Sequence, residues 1–418
     1  ACFMKFCLAL NSYNILKWPD RKNVTERDPK NRKFAFMTFE SENTEEIQNR
    51  IEETAANCIE SFYWEWFCSI PGIYRRHREI LLRCFGDPKG VWQAEAGEWK
   101  HLKEHGCDWV GCVETHQKES DPQETVYKNR QLGIQFTSCE QSDYPKLLRS
   151  IRDFPYGIFY KGRLPAEEKK QIAVVGARVC THYGKHLAEQ LAGQIAQAGG
   201  EVVSGAAYGI DGAAQWAALS AGGASFAVVG GGVDCRYPRA NDRLYDRLEE
   251  EGGVLSEFPP GTKPLRYHFP LRNRIISGLS EIVTVIEAKH GSGSLITADY
   301  ALEQGRAVLA VPGRLDDELS RGCNELIAQG AGVILSPESF AEQVFPDFRQ
   351  QKKNKVSDIA LAPSEKLVYS SLDLHSKSLW ELEECTSLSL ADLSGSLLAL
   401  EAKGLIREVE RNYYVKVR

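Results

Sequence analysis

Long apolar runs are missing from this chain: nowhere do its 418 residues approach the roughly 18 to 20 apolar positions that a membrane-spanning helix needs. The opening ACFMKFCLAL is apolar, but it has neither a clear basic start nor the small-residue cleavage site of a secretory leader. An excess of positive charge is missing too. Lys and Arg number 51 against 57 Asp and Glu, a formal net charge of −6. That excludes wholesale coating of nucleic acid yet leaves room for a local basic groove, because phosphate contact depends on where charges lie. The 12 cysteines are dispersed, with no C-x-x-C and no paired histidine spacing, so neither a metal site nor a disulfide framework is expected. Scattered thiols and no membrane segment imply a reducing compartment and a cytoplasmic location. Catalytic sets are absent as well: no nucleophile–base–acid spacing, no Walker lysine and no complete G-x-G-x-x-G. No catalytic residue and no cofactor is therefore expected.

What is present divides the chain. Residues 1–45 are locally basic without clean periodicity and are expected to form an unstructured arm. Residues 46–114 turn helical, with ESENTEEIQNRIEE opening on capping residues and SIPGIYRRHREILLRCFG joining a Pro-Gly turn to an amphipathic helix. A polar stretch, THQKESDPQETVYKN, reads as a linker or loop. Residues 130–345 then alternate short apolar strands (QIAVVG, EVVSG, ASFAVVGGG, GGVLSE, EIVTVIEA, RAVLAVPG, GVIL) with amphipathic helices such as GKHLAEQLAGQIAQAG. That alternation means βαβ units and a mostly parallel sheet covered on both faces. A basic polar break over 346–358 reads as a second linker. Residues 359–418 show three short helical patterns and an alternating hairpin segment, the pattern of a winged helix.

Open α/β sheets bind ligands at the carboxyl ends of their strands, and there this chain gathers its glycines and polar residues. Arg178 follows the first strand of the series, where it reads either as a structural ion pair or as an anion contact. Ser204 and Gly205 open a glycine-bearing loop into a helix, where backbone N–H groups can approach a phosphate and Asp211 reads as a cap. Arg239 lies in the loop after Gly230-Gly231-Gly232, among arginines interspersed with Asp234, Asp242 and Asp246. Ser292 and Ser294, in His290-Gly291-Ser292-Gly293-Ser294, give a helix start more hydroxyls than a simple cap requires. Arg272 and Arg274 flank Asn273 in YHFPLRNRIISGLS, where Ile275, Ile276 and Leu279 anchor a helix. Arg272 and Arg274 are both candidate DNA contacts, Arg272 the more direct of the two, and Arg274 has a second reading as the partner of a carboxylate such as Glu257 or Glu287. Several phosphate-friendly strand ends without chemistry suggest an extended polyanion that is held rather than turned over.

The blocks GARVCTHYG, VSGAAYGID, AVVGGGVDCRYPRAN, LSEFPPGTKPLRYHFPLRNRIISGLS, VIEAKHGSGSLITADYALEQGRAVLAVPG and GCNELIAQGA closely resemble the DNA-processing protein A (DprA/Smf) family. The resemblance implies an extended Rossmann-like doubly wound domain, preceded by a small helical domain like a sterile-alpha-motif or helix-hairpin-helix and followed by a winged helix. It implies a non-enzymatic homodimer that binds single-stranded DNA, protects incoming strands during natural transformation and loads the RecA recombinase. By position, Arg178 matches the arginine of the family's G-[SA]-R motif. Arg266 matches a basic residue before F-P, Phe269 an aromatic lying against a base, and Arg272 and Arg274 the R-N-R of the same block. Tyr208 and Gln215 depart from the family's usual Arg and His. The presumed recognition helix, LADLSGSLLALEAKG, carries Lys403 as its one base. Other readings are a nucleotide phosphoribohydrolase of the lysine-decarboxylase-like family, whose P-G-G-x-G-T-x-x-E motif is absent, and a ligand-sensing winged-helix regulator.

Overall fold

Seven strands lie where the apolar runs put them, and all but the short edge strand alternate their side chains between two cores. The computed structural model describes residues 60–104, 107–348, 361–372, 376–410 and 412–416. The arm expected over 1–45 and most of the linker expected over 346–358 lie outside these residues. The central sheet has nine strands: β1 (Gln135–Ser138), β2 (Gly157–Gly162), β3 (Gln171–Val175), β4 (Glu201–Ser204), β5 (Ala224–Val228), β6 (Gly253–Ser256), β7 (Ile282–Val285), β8 (Ala307–Ala310) and β9 (Gly332–Val333). Their order is β1-β2-β6-β5-β4-β3-β7-β8-β9. From β6 to β9 all neighbours are parallel, and β1 and β2 close one side in antiparallel register.

Side chains alternate strictly along a strand, so one apolar run can serve two layers. In β3, Ala173 and Val175 enter one core while Ile172 and Val174 enter the opposite one. Phe226 and Val228 of β5 join the first core and Ala227 turns to the other face. The helices that cover the sheet are α1 (His182–Gln197), α2 (Ile210–Ser220), α3 (Asp242–Glu251), α4 (His268–Gly278), α5 (Gly293–Glu303), α6 (Glu318–Ala328) and α7 (Pro337–Val344). Helix α1 forms because Ala188, Leu191, Ala192 and Ile195 recur on one buried face and Thr181 caps its start, accepting from the Gly184 N–H at 2.9 Å.

Before β1 the chain forms helices over 60–69, Arg75–Phe85, Pro88–Gln93, Ala96–Glu104, Val110–Glu119 and Pro122–Gln131. Their buried Trp66, Phe67, Leu81 and Trp99 are continuous with Phe136, Phe159 and Ala227 of the sheet. Arg78 is buried among them, its guanidinium donating to the carbonyls of Phe67, Cys68, Ile70 and Ile73. The polar stretch read as a linker belongs to the last two of these helices instead. Asp121 accepts from the N–H groups of Gln123 and Glu124, and Pro122 occupies the first turn, so a local cap starts a helix that lacks an apolar stripe.

After residue 361 come α8 (Pro363–Ser371), α9 (Leu379–Thr386) and α10 (Leu390–Ala402), with a small antiparallel sheet of Lys377–Ser378, Ile406–Glu410 and Tyr413–Lys416. These three helices and the hairpin surround their own core of Val368, Leu382, Leu393, Leu397 and Ile406.

Candidate nucleic-acid interface

The strand register sets the site. Ala173 lies beside Val203 and Val203 beside Phe226, so β3, β4 and β5 end in step and release three loops side by side. Arg178 leaves the first, Ser204 and Gly205 open the second, and Gly230 begins the third. Helix α4 crosses beneath them. Its His268 Nδ1 lies 3.0 Å from the Gly230 carbonyl, and its ring stacks on Phe258 with centroids 4.0 Å apart.

These contacts present the Phe269 ring. The Arg178 guanidinium carbon stands 5.1 Å from its centroid, that of Arg272 5.8 Å, and Tyr237 tilts against it at 5.8 Å. A Cβ on Gly230 would press on the same ring, so a bare backbone is what lets the phenyl seat there. Arg178 is exposed, as are Arg239 and Arg266. Among the described residues none of the three has an ion-pair partner. By contrast Arg236 is committed to Asp246 at 2.6 Å and Glu249 at 3.0 Å.

Arg272 has a different place from the one its sequence position suggests. It is 4% exposed and lies under the loops, donating to the carbonyls of Gly205 and Val228. A Cβ on Gly205 would overlap this guanidinium. Beside it the buried Asp211 accepts from the Gly205 N–H at 3.2 Å. Burial pushes the Asp211 carboxyl above its ordinary range, and the charge of Arg272 and the Gly205 N–H oppose that rise. Arg272 therefore holds the floor on which Arg178 and Phe269 sit. Arg274, on another face of α4, is 4% exposed and pairs with Glu257 at 2.7 Å and Asp153 at 3.1 Å.

Ser204 is fully buried, its hydroxyl donating to the Val174 carbonyl. It ties β4 to β3, and its hydroxyl also helps hold down the pKa of the buried Asp211 carboxyl. Ser292 and Ser294 bond each other at 2.8 Å at the start of α5, beyond β7, and Asn273 of α4 donates to the Gly293 carbonyl between them. The structure thus gathers Arg178, Gly205, Phe269 and Arg272 into one cluster. It leaves Arg239 and Arg266 on flanking turns and the serines at a neighbouring strand end. Tyr237 and Asn241 belong to the cluster's frame, although the sequence marked them only as loop. Asn241 donates to the carbonyls of Ala206 and Ala207, and the signal was its position in a glycine-rich strand-end segment.

One further feature decides what the strand ends can take. Strand order reverses at β3, with β4 on one side and β7 on the other, and such a reversal is where open α/β sheets seat mononucleotides. Here the Glu287 carboxylate fills that crevice. It accepts from the Thr181 N–H at 2.9 Å and from the Thr181 hydroxyl, at the start of α1. Gly184 lets it approach, since a Cβ there would overlap the carboxylate. An anion built into the chain occupies the place a single phosphate would use. The described residues hold no cluster of three or more His, Cys, Asp or Glu that could bind a metal, and no helix among them is long and apolar enough to cross a membrane.

The family described as DNA recombination-mediator protein A matches residues 135–345, which run from β1 through α7. The DNA processing protein DprA of Bacillus subtilis is 46% identical over 216 residues, covering 51% of this chain and 73% of that protein. Protein Smf of Synechocystis is 30% identical over 385 residues, covering 84% of this chain and 97% of that protein. The X-ray structure of DNA processing protein A from Streptococcus pneumoniae is similar at 36% identity and a TM-score of 0.58, covering 68% of this chain and 97% of that one.

Proposed function

Since the chain belongs to the DNA recombination-mediator protein A family, we propose that it holds single-stranded DNA across the carboxyl ends of β3, β4 and β5. The observation that carries this reading is the exposed Arg178 guanidinium, without an ion-pair partner among the described residues, set 5.1 Å from the Phe269 ring over a buried Arg272–Asp211 floor. A cation beside an aromatic suits a strand: the cation meets a phosphate and the ring stacks on a base of any sequence. Arg266, Arg239, Ser292 and Ser294 extend the path on either side.

In this proposal the protein protects incoming strands in the cytoplasm during natural transformation and passes them to the RecA recombinase. It works as a homodimer and carries out no chemistry itself. The three helices and hairpin after residue 361 act as a winged helix that meets a protein partner, because the presumed recognition helix offers a major groove only Lys403. The phosphoribohydrolase reading lacks its P-G-G-x-G-T-x-x-E motif, and incubation with nucleoside monophosphates should release no free base.

A mobility or filter assay with an oligothymidine checks the proposal. Arg178→Ala combined with Arg266→Ala is expected to weaken single-strand binding by at least tenfold, about 1.4 kcal/mol, with unchanged unfolding. Affinity equal to the unaltered protein would remove the groove from consideration.

A further inference from the structure

Next to the Arg178 loop lies a recess of about 420 Å³ that the interface above does not use. Lys185 of α1, Tyr208 and Gly209 of the β4–α2 loop, Trp216 of α2, Asn241 just before α3 and Arg243 in its first turn line it. Tyr208 is 49% and Trp216 43% exposed, an unusual surface investment for two large rings that share a hollow.

The recess is continuous with the Phe269 cluster through the backbone. Gly209 takes a positive φ of 74° and packs so tightly that a Cβ would overlap the carbonyls of Ala177 and Arg178. The Ile210 N–H then donates to the Ala177 carbonyl at 3.2 Å. On the other side, the turn that carries Tyr237 against Phe269 is pinned to the Ala206–Ala207 backbone by Asn241. The recess therefore abuts Arg178 on one wall and the Tyr237 turn on the other.

Its chemistry repeats that of the first cluster. Arg243 is exposed, with no ion-pair partner among the described residues, and Lys185 has only a 3.9 Å contact with Glu189, itself on the rim. The Trp216 indole is held by the Arg247 guanidinium at 5.3 Å, and Arg247 is itself fixed to Glu251. A ring braced in this way is ready to stack with little entropy left to lose.

We propose that this recess is a second nucleotide subsite for the same strand, in which a base stacks against Tyr208 and Trp216 while Lys185 and Arg243 meet the adjoining phosphates. The inference rests on the single-strand reading and lengthens the bound path from the Phe269 ring across Arg178 to α2. Strands too short to reach from one ring cluster to the other use only the first. Longer strands engage both.

Fluorescence anisotropy with labelled oligothymidines of increasing length tests this. Tyr208→Ala and Trp216→Ala should each weaken binding of long strands by about five- to a hundredfold, the range for loss of one stacked base, and leave short strands unaffected. Trp216→Phe should retain the long-strand affinity and lose a share of the tryptophan quenching that the unaltered protein shows on binding. Both alanine variants should unfold with the unaltered protein, since both rings are about half exposed. If they match the unaltered protein at every length, the subsite is overturned while the Arg178 groove stands. Equal weakening at all lengths would also overturn it, because the recess would then act through the first cluster. If the unaltered protein binds no oligothymidine, the function itself fails and the subsite with it.

Discussion

At the level of single residues, two arginines with the same sequence credentials have opposite situations. Arg178 is exposed beside Phe269, and Arg272 is 4% exposed beneath it. Arg272→Leu removes the donors to Gly205 and Val228 and strands the buried Asp211 without its cation. Breaking such an arrangement from one side costs about 3–5 kcal/mol, which urea unfolding should register. Arg178→Ala should change unfolding by no more than about 0.5 kcal/mol, so its loss of binding reports the groove alone. The sequence could name both residues because each sits in a short block that resembles the family. It could not separate them, since the direction in which an arginine on α4 points depends on where β4 and β5 end, and that register is set by pairings between residues far apart in the chain. Arg274 has two readings in the sequence, a DNA contact or a carboxylate partner, and its burial with Glu257 and Asp153 takes it out of the groove.

Elements were legible to the extent that burial shaped their composition. The strands β3 to β7 are buried on both faces, so they read as short apolar runs, and α1 carries a clear apolar stripe. The helices Val110–Glu119 and Pro122–Gln131 bury only Val110, Val113, Pro122 and Asn129, too little to print a period on the sequence. Within the first of them His116 stacks on Trp66 with centroids 5.5 Å apart, and burial lowers its pKa from 6.5 to about 4. The unfolded chain then binds the extra proton between those two values, so stability is full above about pH 6.5 and declines as pH falls toward 4. After allowance for partial solvent screening the effect is on the order of 1–3 kcal/mol. Thermal unfolding measured across that window should slope downward with acidity. A His116→Gln variant, which cannot take up the proton, should flatten the slope.

For the molecule as a whole the formal charge of −6 hides a local arrangement. Many described surface cations are paired to carboxylates, as with Arg236 and Arg247. Arg178, Arg239 and Arg266 are among those without an ion pair, and they lie on the segments that follow β3, β5 and β6. Binding should accordingly fall with salt even though the protein is acidic. The logarithmic slope for a single strand is about 0.7 per phosphate neutralised. Titrations at two or more salt concentrations should show the slope become shallower by about that amount for each of these arginines replaced by alanine. A slope that does not respond would mean that the strand lies elsewhere.

The Glu287 carboxylate lodged at the start of α1 has a consequence for selectivity in a crowded cell. Free nucleotides are abundant, and a fold with an open phosphate cradle at its strand reversal would spend its time occupied by them. Here a side chain that never dissociates stands at that place, held by Thr181. If the proposed groove holds a strand, a mononucleotide is left with one scattered contact at a time, and a polymer with several at once. Under that proposal the protein would distinguish a chain from its building blocks by length and not by chemistry.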